Sequence, residues 1–137
     1  MKKEIPKNGL HTEDLDDGMK VEAHFKDGKR HGKETVWHKN GQKISECYYV
    51  DNKLEGKGTE WSESGQIKSE MNFKDGLENG LQTGYDPLGQ IQSEIEFKEG
   101  IPNGKYIFYK DGEIIDEGMN DFKKGDSPYN LDNLSVN

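Results

Sequence analysis

Four aromatic residues recur at a step of 24: Trp37, Trp61, Tyr85 and Tyr109. A second set, Phe25, Tyr49, Phe73 and Phe97, keeps the same step, as do the glycines Gly32, Gly56, Gly80 and Gly104. Three registers sharing one period make the chain a tandem repeat. A unit this small cannot bury an apolar face alone, so neighbouring units must stack into a continuous structure. This constraint selects a repeat architecture, argues against an enzyme and favours binding.

The units run about 17–40, 41–64, 65–88 and 89–111, with a degenerate fifth at 112–126. The repeat domain is therefore expected over 17–126, about 4.5 repeats. It is flanked by a polar N-terminal segment, 1–16, and a polar tail, 127–137, which are expected to fray or to cap the open ends. Each unit has two extended halves. In the first, Ser45, Cys47 and Tyr49 share one parity while Glu46 and Tyr48 take the other, the period-two pattern of a strand. Glu22, Glu46, Glu70 and Glu94 line the face opposite the Ser, Cys and Tyr positions.

Asp27-Gly28, Asp51-Asn52, Asp75-Gly76 and Glu99-Gly100 then supply residues that accept the positive φ of a tight hairpin. The glycine that follows each turn marks either a bulge or a close approach of backbone and ring. Thr35, Thr59, Thr83 and Ile107 precede each Trp or Tyr by two residues on the second strand. Turns near Asn40-Gly41, Ser64-Gly65, Leu88-Gly89 and Asp111-Gly112 lead into the next unit. The fold class is all-β: tandem antiparallel hairpins forming an elongated, twisted meander sheet. With strands about 4.8 Å apart, each unit advances roughly 10 Å. The two aromatic ladders are expected to pave one face of the sheet and stabilise it.

Composition needs this context. Leu, Ile, Val and Phe make up about a fifth of the chain and the formal net charge is −8, values typical of disorder. A disordered chain would not hold aromatics and glycines in register, so the low apolar content instead indicates a thin sheet. The single cysteine, Cys47, excludes an intramolecular disulfide and falls in register with Ala23, Met71 and Ile95, where it reads as a small core-facing residue. The N-terminus has positive charge but no apolar run behind it, and no stretch reaches membrane-span length. The expected location is cytoplasmic, unless a leader has been removed.

Residues 23–41, Ala-His-Phe-Lys-Asp-Gly-Lys-Arg-His-Gly-Lys-Glu-Thr-Val-Trp-His-Lys-Asn-Gly, resemble a MORN repeat. That pattern has an aromatic before a turn glycine, a His-Gly or Asn-Gly pair, another aromatic and an Asn-Gly. His31-Gly32, Asn79-Gly80 and Asn103-Gly104 supply the pair, while Glu55-Gly56 departs from it. The longer step and the Ser-Glu before each apolar residue resemble the bacterial variant of this repeat. Chains made only of such variants are commonly assigned to a toxin–antitoxin antitoxin family. The resemblance covers about 17–125. It implies a hairpin-repeat fold and a protein that neutralises a toxin by direct binding.

The chemistry of a catalyst is missing from the sequence. His24, His31 and His38 crowd the first unit without a carboxylate or cysteine at ligand spacing, so no metal and no cofactor are expected. The four ladder glutamates lie too far apart to converge on one bond. Gly56-Lys57-Gly58 lacks the strand-to-helix context of a phosphate loop.

Charge is uneven along the chain: −2 over residues 1–19, +4 over 20–43 and −10 over 44–137. An acidic body speeds encounter with a basic protein partner, such as a toxin that attacks nucleic acid. The expected interface is Glu46, Glu70, Glu94 and Glu96 with Tyr48, joined by Trp61 and Tyr85 if the aromatic face is open. The alternative is a membrane or phosphoinositide contact through Lys26, Lys29, Arg30, Lys33, Lys39 and Lys43, which the acidic body opposes. Nucleic-acid binding fails on the same charge argument. Open edges and a thin core also invite a homodimer or a scaffold role.

Overall fold

The computed structural model describes residues 4–121; the expectations for 122–126 and for the tail at 127–137 lie outside the described residues. The described chain opens with β1 (Gly9–Asp14) and a short 3-10 turn, Asp16–Gly18. The first unit holds β2 (Lys20–Lys26), β3 (Lys29–Arg30) and β4 (Gly32–Trp37). The second holds β5 (Lys43–Val50), β6 (Lys53–Leu54) and β7 (Gly56–Trp61), and the third β8 (Ile67–Lys74), β9 (Leu77–Glu78) and β10 (Gly80–Tyr85). β11 (Ile91–Lys98), β12 (Ile101–Lys110) and β13 (Glu113–Asp121) complete the described chain. All thirteen strands belong to one open antiparallel sheet in the order β1-β2-β4-β5-β7-β8-β10-β11-β12-β13, with β3, β6 and β9 paired to β2, β5 and β8. Residues 9–14, outside the repeat register, pair with β2 and extend the sheet by one strand.

The hairpin turns are of type I′. Both central residues have positive φ at Asp27-Gly28 (52° and 79°), Asp51-Asn52 (48° and 70°), Asp75-Gly76 (51° and 84°) and Glu99-Gly100 (51° and 82°). That twist matches the right-handed twist of the flanking strands. The first tip is tied to the segment before β1, and each later tip to the one before it. Gly28 N–H donates to Lys7 O, Asn52 N–H to Arg30 O, Gly76 N–H to Leu54 O and Gly100 N–H to Glu78 O, at 2.8 to 2.9 Å. Asn52 closes this link twice, because its Oδ1 also accepts the Arg30 N–H at 2.8 Å. The wider turns between units are closed by His38 N–H to Gln42 O, Ser62 N–H to Gln66 O and Asp86 N–H to Gln90 O, each 2.8 Å. Asp111-Gly112 differs: it is itself a two-residue connection with φ of 53° and 83°, joining β12 directly to β13.

The two aromatic ladders do not share a face, which corrects the expectation from sequence. A two-residue turn pairs residues of opposite number parity: Phe25 lies opposite Arg30, whereas Trp37 lies opposite Lys20. Phe25 and Trp37, both odd-numbered, therefore point to opposite sides. Phe25, Tyr49, Phe73 and Phe97 go with Ala23, Cys47, Met71 and Ile95 on one side, the phenylalanine face. Trp37, Trp61, Tyr85 and Tyr109 go with Thr35, Thr59, Thr83 and Ile107 and with the ladder glutamates on the other, the glutamate face. The pairings Glu22↔Thr35, Glu46↔Thr59, Thr83↔Glu70 and Glu94↔Ile107 fix this arrangement.

Where two strands were expected per unit, the second is split at the repeat glycine in the first three units and runs unbroken as β12 in the fourth. Register sums show two additional residues around His31-Gly32, Glu55-Gly56, Asn79-Gly80 and Asn103-Gly104, a bulge that preserves parity. At three of the four the side chain across from the bulge stitches it closed. His24 Nδ1 lies 2.9 Å from Lys33 O, Asn72 Nδ2 donates to Leu81 O at 2.9 Å, and Glu96 Oε2 accepts the Lys105 N–H at 3.1 Å. At Gly32, with φ of 114°, an added Cβ would sit 3.2 Å from His24 Cβ, so this glycine serves the bulge.

Burial is slight. Among the described residues only Ala23, Phe25, Thr35 and Gly58 are buried, and the later ladder positions of the phenylalanine face, Cys47, Tyr49, Met71, Phe73, Ile95 and Phe97, are half-covered. Gly58 is buried because the Phe73 ring lies across it, with Cε2 3.0 Å from where a Cβ would stand. The link between hairpin tips should therefore matter to stability more than its exposed position suggests. Asn52→Gly keeps the turn but removes the side-chain bond to Arg30, an expected loss of about 1 kcal/mol. Asn52→Ala removes the same bond and puts at φ of 70° a residue without asparagine's tolerance of the left-handed region, so it should lose more, about 2 kcal/mol. Urea denaturation with an unchanged slope measures both; an Asn52→Gly variant as stable as the parent would remove the side-chain half of the tip link from the account.

Candidate functional site

The glutamate face is a series of rungs, each made of a carboxylate, a threonine or isoleucine, and an aromatic ring. In the third unit Tyr85 donates its hydroxyl to Glu70 Oε1 at 2.6 Å, and Lys57 Nζ stands 2.8 Å from Glu70 Oε2. The Lys57 ammonium, and then the Tyr85 hydroxyl, hold the Glu70 carboxyl below the usual carboxylate range. The fourth unit repeats the tyrosine contact, Tyr109 hydroxyl to Glu94 Oε1 at 2.5 Å. Bonding to the carboxylates raises both phenols above their ordinary value. The second unit has a tryptophan instead. There Lys43 Nζ bonds Glu46 Oε2 at 2.9 Å and lies over the Trp61 ring, 5.5 Å from its centre.

All seven residues proposed from sequence as an interface share this face. Glu46, Glu70 and Glu94 form its carboxylate row, and Trp61 and Tyr85 are their ring partners rather than members of a separate aromatic face. Tyr48 is 43 % exposed and stands opposite Lys33. Glu96 stands opposite Leu81 and also has the backbone role described above. Sequence reading missed Lys57. Its step of 24 with Lys33 and Lys105, broken only by Leu81, was the available signal.

The six basic residues do not form one patch. Lys26, Lys29 and Lys33 lie on the glutamate face near the first tip, and Lys43 is engaged with Glu46. Arg30 is on the phenylalanine face, its Nε 3.0 Å from Glu34 Oε2 and its guanidinium 5.7 Å from the Tyr49 ring centre. Lys39 belongs to a wide turn, where its Cβ approaches Gly18.

With this geometry in view, the family comparison is specific. Residues 30–51, 54–75 and 78–99 match the MORN repeat variant model. The chain carries MORN repeat variants. Each matched MORN segment opens at or next to a short strand, Lys29–Arg30, Lys53–Leu54 or Leu77–Glu78, and ends in the following hairpin turn. Each MORN match thus starts at the carbonyl acceptor of a tip bond, Arg30, Leu54 or Glu78, and ends one residue before its donor, Asn52, Gly76 or Gly100. A search of curated proteins gives no match to the chain. No helix among the described residues is long and apolar enough to cross a membrane.

On the opposite face of the MORN sheet, Cys47 and Tyr49 sit beside Glu34. Burial, reinforced by the Glu34 carboxylate, pushes the Cys47 thiol from 9.0 up to about 11 and the Tyr49 phenol from 10.0 up to about 12. Both groups are neutral when protonated, and the folded state disfavours their anions. The contribution of these two groups is therefore complete below about pH 9 and is lost as pH rises from there toward 12. The melting temperature should fall over that range, and Cys47→Ala, which adopts the residue of the first unit, should flatten the onset of the fall. Alkylation of Cys47 should be slow at pH 8; rapid reaction there would contradict this assignment.

Proposed function

We propose that this chain is a non-catalytic binding module that captures a protein partner on the glutamate face. The partner we infer is a basic toxin, blocked by direct contact. The single observation supporting this reading is the convergence of the carboxylate and ring ladders on one face, in rungs repeated across the sheet. Rings give contact area at little entropic cost, carboxylates supply complementarity to lysine and arginine, and a repeat sheet offers both over a broad surface. MORN repeats are commonly binding modules, which fits this role.

A second reading, self-association, is favoured by the last described strand. Ile114, Ile115 and Met119 of β13 are 52 %, 63 % and 71 % exposed, a concentration of apolar surface at one end of the described sheet.

Co-expression with the product of the adjacent gene tests the first reading through growth rescue and co-elution. The expected outcome is a stable complex that weakens at least tenfold on Glu46→Lys or Glu94→Lys. Glu60→Lys, on the phenylalanine face, should leave it unchanged. A complex lost equally on either face would displace the interface, and a homodimer with no hetero-complex would leave self-association as the better account.

A further inference from the structure

We infer that the rung of Glu94 and Tyr109 is the place where a lysine side chain of the partner docks. This rests on the binding function proposed above and specifies its chemistry. The molecule supplies its own templates for the occupied state. In the preceding rung Glu70 receives the Tyr85 hydroxyl from β10 and the Lys57 ammonium from β7, one on each side. In the rung before that, Glu46 receives the Lys43 ammonium, which also rests on Trp61. Two different routes deliver a lysine of this chain to the same kind of position.

The fourth rung keeps half of that arrangement. Glu94 and Tyr109 are the step-of-24 counterparts of Glu70 and Tyr85, and their hydrogen bond is retained. The counterpart of Lys57 is Leu81, and the counterpart of Lys43 is Ile91. Among the described residues, no lysine, arginine or histidine comes within ion-pair distance of Glu94. The register continues the carboxylate side outward, since Ile107 is paired with Glu94 on one flank and Glu117 on the other. Lys105 is the nearest basic residue in the register, one step along β12 from Ile107 and opposite Met119.

The apolar neighbours suit the rest of a lysine. Leu81 is 42 % exposed and Met119 71 % exposed on the same face, so methylene groups would cover apolar surface while the ammonium reaches Glu94. Arginine fits less well, because a fork needs both oxygens and one of them already shares its acceptor capacity with the Tyr109 hydroxyl.

The test uses the full chain and tetralysine as probe, followed by NMR of the glutamate carboxylates and tyrosine rings. The expected result is a shift at Glu94 and Tyr109 that saturates at a concentration about tenfold lower than any shift at Glu46 or Glu70. Leu81→Lys should abolish it by placing this chain's own ammonium there, as Lys57 does one rung earlier, and Glu94→Gln should abolish it by removing the charge. Leu81→Met should retain it. Leu81→Lys is expected to fold, since lysine occupies that register at positions 33, 57 and 105. Uniform shifts over all carboxylates, or a response indifferent to Leu81→Lys, would overturn the inference. The two readings fail separately: a captured partner insensitive to both Leu81→Lys and Glu94→Gln sinks this site but spares the binding function. A selective tetralysine response with no protein partner in co-expression preserves the site while removing the proposed toxin.

Discussion

The two-residue type I′ turn governs this structure. With positive φ at both central residues, it admits few sequences, and the described chain meets the demand five times with Asp-Gly, Asp-Asn or Glu-Gly. A loop of that length fixes which residues oppose one another, and opposition fixes the face on which every later side chain emerges. The glutamates meet the Trp and Tyr rings because of it, and the Phe ladder is sent to the other side. The bulge at the repeat glycine inserts two residues, so it bends the strand without undoing this assignment. Another register shift falls just before Trp37, Trp61, Tyr85 and Tyr109, again re-aiming a ring at a defined point.

A sheet one layer thick has little interior from which to draw stability. The ion pairs of the glutamate face are exposed and individually contribute little. What remains is backbone pairing, half-covered apolar contact, and the bonds between successive tips. The tip bonds couple each unit to the next even where strand pairing is interrupted by a bulge, so the array behaves as linked nearest neighbours. Gly58 illustrates the economy of the phenylalanine face. A glycine there lets the Phe73 ring lie on the backbone itself, giving burial that a second layer would otherwise have to provide.

Much of this was legible in the sequence. The period of 24 gave the unit, Asp27-Gly28 and its counterparts gave the turns, and the alternation around Cys47 put the glutamates opposite Cys47 and Tyr49. The faces of the two aromatic ladders were also encoded, since a two-residue turn reverses parity, but recognising it required applying that rule across the turn. Other features depended on long-range geometry. The roles of His24, Asn72 and Glu96 as stitches across a bulge depend on how far the backbone opens, which no local pattern reports. Lys57 looked like part of a glycine-flanked loop, and only the register of β7 against β8 brings it to Glu70. Arg30 illustrates the converse: charge counting joined it to the nearby lysines, yet pairing with Phe25 turns it to the opposite face.

The repeat also separates what must stay constant from what is free to vary. Turns, bulge glycines and ladder glutamates recur because the backbone and the rung geometry require them. The ring partner changes from Trp in the first two units to Tyr in the next two, and the lysine that answers the glutamate arrives from its own strand, from the preceding strand, or not at all. These changes run in one direction along the sheet, so the glutamate face is not equivalent when read from its other end. A surface of identical rungs would let a partner slide by one unit at no cost. Rungs that differ in ring, cation and free carboxylate make one register better than its neighbours, which is how a repetitive scaffold can hold a partner in a single position.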